Sequence, residues 1–280
     1  MRFRVPKGAY LDIDRGVRAF VRTCGEAEHG APILLLHGLG ATGALNWAPC
    51  FARLSTLGGQ VIAVDHRGHG RGPRVGDRFS LVDCADDAGG VLRAFGGRPA
   101  TVVGYSMGGA VAQLLALRHP ELVSGLILSA TARDFRGRPA DRLRFAAVGA
   151  LAAATALPPA LPPPPAPPPL PGRLRPLGWA LSEVRHHEPA AVLSAAAALG
   201  RFTSRDWIHQ LRQPTVVIVH QRDRLVPARR QHKLADSIPD ATAVELDVDH
   251  MGVASDRNVY LPALLRAVAQ VAPRPLSSTA

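Results

Sequence analysis

The stretch Gly104-Tyr105-Ser106-Met107-Gly108 sets one hydroxyl between two glycines. An apolar run of strand type, Ala100-Thr101-Val102-Val103, leads into it. A helix-like run, Gly109-Ala110-Val111-Ala112-Gln113-Leu114-Leu115-Ala116-Leu117, leads out of it. A serine at a strand-to-helix junction can sit on a sharp, strained turn. Glycines carry no Cβ, so neighbouring backbone closes in and the serine oxygen is pushed outward. The helix that begins there aims N–H groups and its positive dipole end at the same point. Such a turn presents a nucleophile. An ordinary βα turn of small residues shares the composition but needs none of the partners that a nucleophile requires.

A serine hydroxyl is a weak nucleophile near neutral pH. It needs a base to take its proton, and histidine suits that task. The base needs a carboxylate to fix its tautomer, and the developing oxyanion needs two donors. When the serine sits between strand and helix, the acid and then the histidine follow it along the chain. Of eleven histidines, His119, His186, His187, His209, His220, His232 and His250 follow Ser106. His119 lies on the helix behind the serine, before Pro120; His220 ends the apolar run Thr215-Val216-Val217-Ile218-Val219; His232 sits in a polar, helix-like stretch from Ala228 to Ser237. His250 stands in the loop Asp247-Val248-Asp249-His250-Met251-Gly252, after the run Thr242 to Leu246 and before a helix-like segment from Asn258 to Val271. A histidine on a loop after the last strand reaches over the sheet edge, so His250 is the expected base. The expected acid is Asp223, one strand earlier in His220-Gln221-Arg222-Asp223-Arg224-Leu225-Val226-Pro227. Capping the following helix, or pairing with Arg222 or Arg224, is its alternative role. Two rivals for the acid are Asp134, after the strand that follows the serine's helix, and Asp249, beside the histidine. The expected oxyanion donors are the backbone N–H of Met107 and that of Leu39, in His37-Gly38-Leu39-Gly40 after the apolar run Ile33-Leu34-Leu35-Leu36. His37 itself reads as a structural hydrogen-bonding residue.

Several motifs now stand in one order: His37-Gly38-Leu39-Gly40, Asp65-His66-Arg67-Gly68-His69-Gly70, the Ser106 turn, Asp223-Arg224-Leu225-Val226-Pro227 and His250. Together they resemble the α/β-hydrolase superfamily over about residues 15 to 272. The resemblance implies Ser106, Asp223 and His250 as a catalytic triad, with Leu39 and Met107 shaping the oxyanion hole. It implies no metal and no organic cofactor. The Asp65 to Gly70 segment reads as a strand end and tight turn. Its two histidines lack the thiolates or carboxylates that would complete a metal site.

At 280 residues the chain can bury one large core. Cys24, Cys50 and Cys84 are odd in number and dispersed, which excludes a disulfide framework and zinc spacing and fits a reducing compartment. The N-terminus lacks the apolar stretch of a secretory signal, so a cytoplasmic location is expected. The net charge is +11, yet of 33 basic residues only Lys7 and Lys233 are lysine. The arginines are dispersed and not interleaved with aromatics, which argues for GC-rich coding rather than nucleic-acid binding.

Two extended runs, Ala9 to Ile13 and Val17 to Val21, read as a hairpin across Asp14-Arg15-Gly16. Apolar runs at 33–37, 61–65, 100–104, 124–130, 215–220 and 242–246 read as buried parallel strands. Helix-like stretches near 45–57, 80–95, 107–119 and 227–237 alternate with them. The expectation is an α/β fold: a mostly parallel central sheet with helices on both faces. The alternation breaks between Arg133 and Asp206. The core is therefore expected over 1–132 and 206–280, with a helical, Pro-rich cap insertion over 133–205. Residues 158–171 hold ten prolines in fourteen, which favours a stiff polyproline II stretch or a flexible loop. No charge appears from Phe145 through Gly172. The helix-capable part, Phe145 to Leu157, would span about 20 Å, against about 30 Å for a bilayer core. It reads as a greasy cap helix over a substrate channel, with interfacial membrane contact as the alternative. Leu181 to Gly200 reads as one helix returning to the core.

The expected function is that of a serine hydrolase cleaving a carboxylic ester or related acyl compound of apolar character. Lactone opening, thioester cleavage, carbon–carbon bond hydrolysis and cofactor-free haloperoxidase chemistry use the same constellation. A non-catalytic binding protein on this fold would be betrayed by a lost triad residue, and none is lost.

Overall fold

The chain enters through an antiparallel hairpin, β1 (Gly8–Ile13) paired with β2 (Val17–Cys24). Arg15 and Gly16 reverse the chain with positive φ values of 63° and 68°. The computed structural model describes residues 5–26, 30–57, 59–76, 78–135 and 175–272. Six further strands follow: β3 (Ile33–Leu36), β4 (Val61–Val64), β5 (Ala100–Tyr105), β6 (Val123–Ser129), β7 (Thr215–His220) and β8 (Thr242–Leu246). All eight form one sheet in the order β1-β2-β4-β3-β5-β6-β7-β8. From β4 to β8 every pairing is parallel, and the hairpin is attached antiparallel through β2. The central strands are buried on both faces, which is why they are written as unbroken apolar runs rather than alternating ones.

Helices cover both faces: α1 (Gly43–Trp47), α2 (Phe51–Leu54), α3 (Leu81–Ala94), α4 (Met107–Arg118), α5 (Arg175–Val184), α6 (Pro189–Arg201), α7 (Ala228–Ala235), α8 (Gly252–Ser255) and α9 (Arg257–Val271). Alternate residues of one strand feed opposite cores. Leu34 and Leu36 belong to the core under α3, α4 and α7, whereas Ile33 and Leu35 belong to the opposite core, with Trp47, Phe51 and the α9 residues Tyr260 and Leu264. None of the helices among the described residues is long and apolar enough to cross a membrane.

Two helices expected as continuous are broken, each by a proline. The 45–57 stretch divides into α1 and α2 at Pro49, which has no N–H to donate and clashes with the preceding turn. The 181–200 stretch divides at 185–188, because Pro189 forces Glu188 out of the helical region, to φ −93° and ψ 107°. Of the expected cap, residues 136–174, including the Phe145 to Leu157 helix and the prolines, lie outside the described residues.

α5 is tied to the core by a buried carboxylate. Glu183 accepts from Arg22 at 3.1 and 3.2 Å, from Arg71 at 3.2 Å and from the Thr42 hydroxyl at 3.3 Å. Nearby, the Asp65 carboxylate accepts the Gly43 and Arg71 N–H groups at 2.8 and 2.9 Å and closes the tight turn that follows β4. Burial pushes the Asp65 carboxyl up to about 6. Three histidines form the floor of this region. His37 donates from Nδ1 to the Gly38 carbonyl and accepts the His66 N–H at 2.9 Å on Nε2. It is therefore the structural residue that the sequence suggested. Burial holds His66 down to about 3, His69 to about 4, and His37 well below its ordinary value.

These shifts set the acid response. A histidine whose folded pKa is depressed contributes stability that is lost as pH falls below about 6.5, at up to about 1.4 kcal/mol per unit for each. Asp65 acts in the opposite sense below about 6, but it is one group against three. Denaturant midpoints should therefore fall between about pH 6.5 and pH 4.5. His69→Gln should flatten that fall. An unchanged slope in the variant would mean that His69 is not held neutral in the fold.

Candidate active site

The site is built on the carboxyl edge of the sheet, where β5 turns into α4. Ser106 occupies φ 53° and ψ −114°, a conformation that costs a non-glycine residue about 1–3 kcal/mol. Its backbone is held there from three sides. The Ser106 N–H donates to the Ser129 carbonyl at 2.9 Å, and its own carbonyl accepts the Gly109 N–H at 2.9 Å and the Thr131 hydroxyl at 2.8 Å. The flanking glycines answer to close approach rather than to backbone freedom. A Cβ on Gly104 would meet the Gly108 carbonyl and Ala112, and one on Gly108 would meet the Leu36 and His37 carbonyls.

The other two residues arrive on loops. Asp223 follows β7, and His250 follows β8. The His250 Nε2 lies 3.1 Å from the Ser106 Oγ, and its Nδ1 lies 2.7 Å from the Asp223 Oδ2. An ionised carboxylate only accepts, so Nδ1 carries the proton and Nε2 turns its lone pair to the serine. The Asp223 side chain is fully buried, and four bonds satisfy it. Oδ1 accepts the Leu225 and Val226 N–H groups at 2.8 Å each; Oδ2 accepts His250 and, at 3.3 Å, the Gln231 amide. Asp223 thus combines its expected site position with capping of its own loop.

The rivals go elsewhere. Asp134 pairs with Arg205 at 2.9 Å, and the Asp249 Oδ1 accepts the Met251 N–H at 2.7 Å. His119 bonds Asp86 and His232 pairs with Glu245. The Met107 and Leu39 N–H groups meet no acceptor among the described residues, while the neighbouring Gly38 N–H is held by the Asn46 Oδ1 at 3.0 Å. Gly38 also lies against Ser106, since a Cβ there would come within 3.4 Å of the serine Cβ. Among the described residues, no group of three or more His, Cys, Asp or Glu side chains is set to hold a metal ion.

Gln231 was not foreseen. From α7 it donates to Asp223 and to the Val226 carbonyl at 2.7 Å, and it accepts the His220 N–H at 3.0 Å. An uncharged residue in a polar helix carries no sequence signal for that role.

The parallel sheet, the strained serine turn and the edge loops define the class. A model of the alpha/beta hydrolase fold matches residues 31–157. A protein of Serratia proteamaculans, provisionally named carbamate hydrolase RutD, is 30% identical over 240 residues, covering 77% of this chain and 82% of its own length. The pimeloyl-[acyl-carrier protein] methyl ester esterase of Chromobacterium violaceum is 30% identical over 256 residues, covering 88% and 96%. The crystal structure of the enol-lactonase from Burkholderia xenovorans LB400 shares the fold, with a TM-score of 0.75 and 23% identity over 93% of this chain and all of that one. The chain belongs to the α/β-hydrolase family.

The packing of the turn generates a stability test. Gly108→Ala should destabilise by about 1–3 kcal/mol, because the added methyl presses on carbonyl groups that cannot retreat. Gly16→Ala, at φ 68° with open space around it, should cost only about 1 kcal/mol of backbone strain. Thermal unfolding of the two variants checks the order.

Proposed function

We propose that this α/β hydrolase is a serine hydrolase that cleaves a carboxylic ester or related acyl compound. Ser106 attacks the acyl carbon, and His250 takes its proton and passes it to the leaving group. Asp223 orients His250 and stabilises the imidazolium. The Leu39 and Met107 N–H groups receive the oxyanion. Water then attacks the acyl-enzyme with His250 again as base, releasing the acid and restoring Ser106. The observation that carries this reading is the pair of hydrogen bonds that runs from Asp223 through His250 to Ser106 at 2.7 and 3.1 Å. It is supported by the Met107 and Leu39 N–H groups, which meet no acceptor among the described residues. The relatives provisionally named carbamate hydrolase and named methyl ester esterase agree with acyl chemistry. The uncharged run from Phe145 to Gly172 favours an apolar small-molecule substrate. Each substrate methylene removed from water would gain about 0.8 kcal/mol, about fourfold in binding.

A fluorophosphonate probe and an ester series of increasing acyl length test the proposal. Wild-type protein should label at Ser106 and hydrolyse members of the series; Ser106→Ala should do neither while melting near the wild-type temperature. Retention of more than about a tenth of the rate by Ser106→Ala would remove it as nucleophile.

Asp223→Asn should lower kcat by about 10⁴, since the amide presents the wrong partner to Nδ1. Asp134→Asn and Asp249→Asn should stay within a few-fold of wild type. A crippled Asp134→Asn would move the acid to the loop after β6.

A further inference from the structure

His250 stands on a loop, and loops do not hold a side chain to the tolerance that proton transfer demands. The structure supplies two braces for it, both hydrogen-bonded to backbone carbonyls of the loop rather than to the Ser106 Oγ, the His250 ring nitrogens or Asp223. The His220 ring, fully buried at the end of β7, lies with Nδ1 2.7 Å from the Asp249 carbonyl. A carbonyl only accepts, so Nδ1 carries the proton and Nε2 is left as an acceptor. The Ser129 hydroxyl lies 3.1 Å from that Nε2, and the Tyr260 hydroxyl donates to Ser129 at 3.2 Å. The result is a one-way chain from Tyr260 through Ser129 and His220 to the Asp249 carbonyl, every side chain in it buried. The second brace is Tyr105, the residue before the serine, whose hydroxyl donates to the His250 carbonyl at 2.5 Å. Two successive carbonyls of one loop are therefore held by side chains from the ends of β7 and β5. The Tyr105 ring packs edge-on against the His220, His250 and Tyr260 rings, at 5.6 to 6.0 Å between centroids. The His220 N–H, through Gln231, is also linked to Asp223.

We infer that His220 and Tyr105 are positioning residues that fix the backbone of the His250 loop, so that the base meets Ser106 and Asp223 in register. This rests on the reading of His250 as the base. It assigns the buried Ser129–His220 pair a bracing role rather than a second nucleophile.

The test uses Tyr105→Phe, His220→Leu and His220→Asn, with hydrogen exchange of residues 247–252 measured beside ester kinetics. Tyr105→Phe and His220→Leu should exchange faster in that loop and lose about ten- to a hundredfold in kcat, with KM little changed. His220→Asn keeps a donor where Nδ1 was and should recover most of the loss. If His220→Leu fails to fold, Tyr105→Phe, which removes one oxygen, carries the test. Wild-type exchange in the loop of the folded Phe and Leu variants overturns the inference. A raised KM with unchanged kcat does so as well. Wild-type protein that neither labels at Ser106 nor turns over esters removes the proposed function instead, and loop exchange then decides the bracing alone.

Discussion

The constraint on which the rest of the structure depends is the approach of α4 to the sheet beneath Ser106. The helix lies so close that the Gly108 Cα faces the carbonyls ending β3, and Gly104 faces the Gly108 carbonyl. Side chains at either position would lift the helix and let Ser106 relax from φ 53°. Closeness and strain are thus one feature. The three bonds to the Ser106 backbone, from β6 and the loop after it as well as from α4, keep the chain from escaping into an ordinary turn. Because β3 and β6 flank β5 on its two sides, both neighbours of the central strand take part in fixing the serine.

Around that turn, polar groups are buried in two different ways. Asp223 remains an acceptor with four donors around it. His37, His66 and His69 are instead kept neutral, by burial with few compensating bonds. An anion needs donors from several directions, and a loop closing on itself provides them. A neutral imidazole needs only one or two partners and can fill a floor as an aromatic does. The His37 and His66 rings meet at a tilt of 51°, 4.4 Å apart between centroids, an arrangement that two imidazolium ions would resist.

The parallel strands were legible because burial on both faces leaves a continuous apolar run, as in Ile33 to Leu36 and Thr215 to Val219. The meeting of Ser106, Asp223 and His250 was legible because the sequence places each just beyond a strand, at one edge of a parallel sheet. Helix ends at Pro49 and Pro189 are local steric signals in the sequence, masked by the longer periodic stretches around them. What was not legible depends on partners far away in the chain. Glu183 resembles any helix glutamate until Arg22 and Arg71 are brought to it. Gln231 acquires its role only when α7 lies against the Asp223 loop. His220 read as a strand residue, which it is, but its ring bonds depend on Ser129 from β6 and Asp249 from the loop after β8.

Residues 183–188, between β6 and β7, reach the loop that carries Leu39. His187, just beyond α5, accepts the Gly70 N–H on Nδ1 at 2.7 Å, and its Nε2 lies 3.1 Å from the Gly40 carbonyl. Both ring nitrogens are used, one as acceptor and one as donor, which requires the neutral ring; burial lowers its pKa in the same direction. Next to it the Glu188 N–H donates to the Gly68 carbonyl, and its carboxylate accepts the Val75 N–H. Glu183 meanwhile receives the hydroxyl of Thr42, two residues past Gly40 and the N-cap of α1. The backbone that carries Leu39 is therefore bracketed by contacts from 183–188 on one side and by Asn46 on the other. A loop of two glycines around a leucine has little stiffness of its own. Part of its shape comes from groups that arrive more than a hundred residues later in the chain, so this backbone is fully held only with residues 183–188 in place.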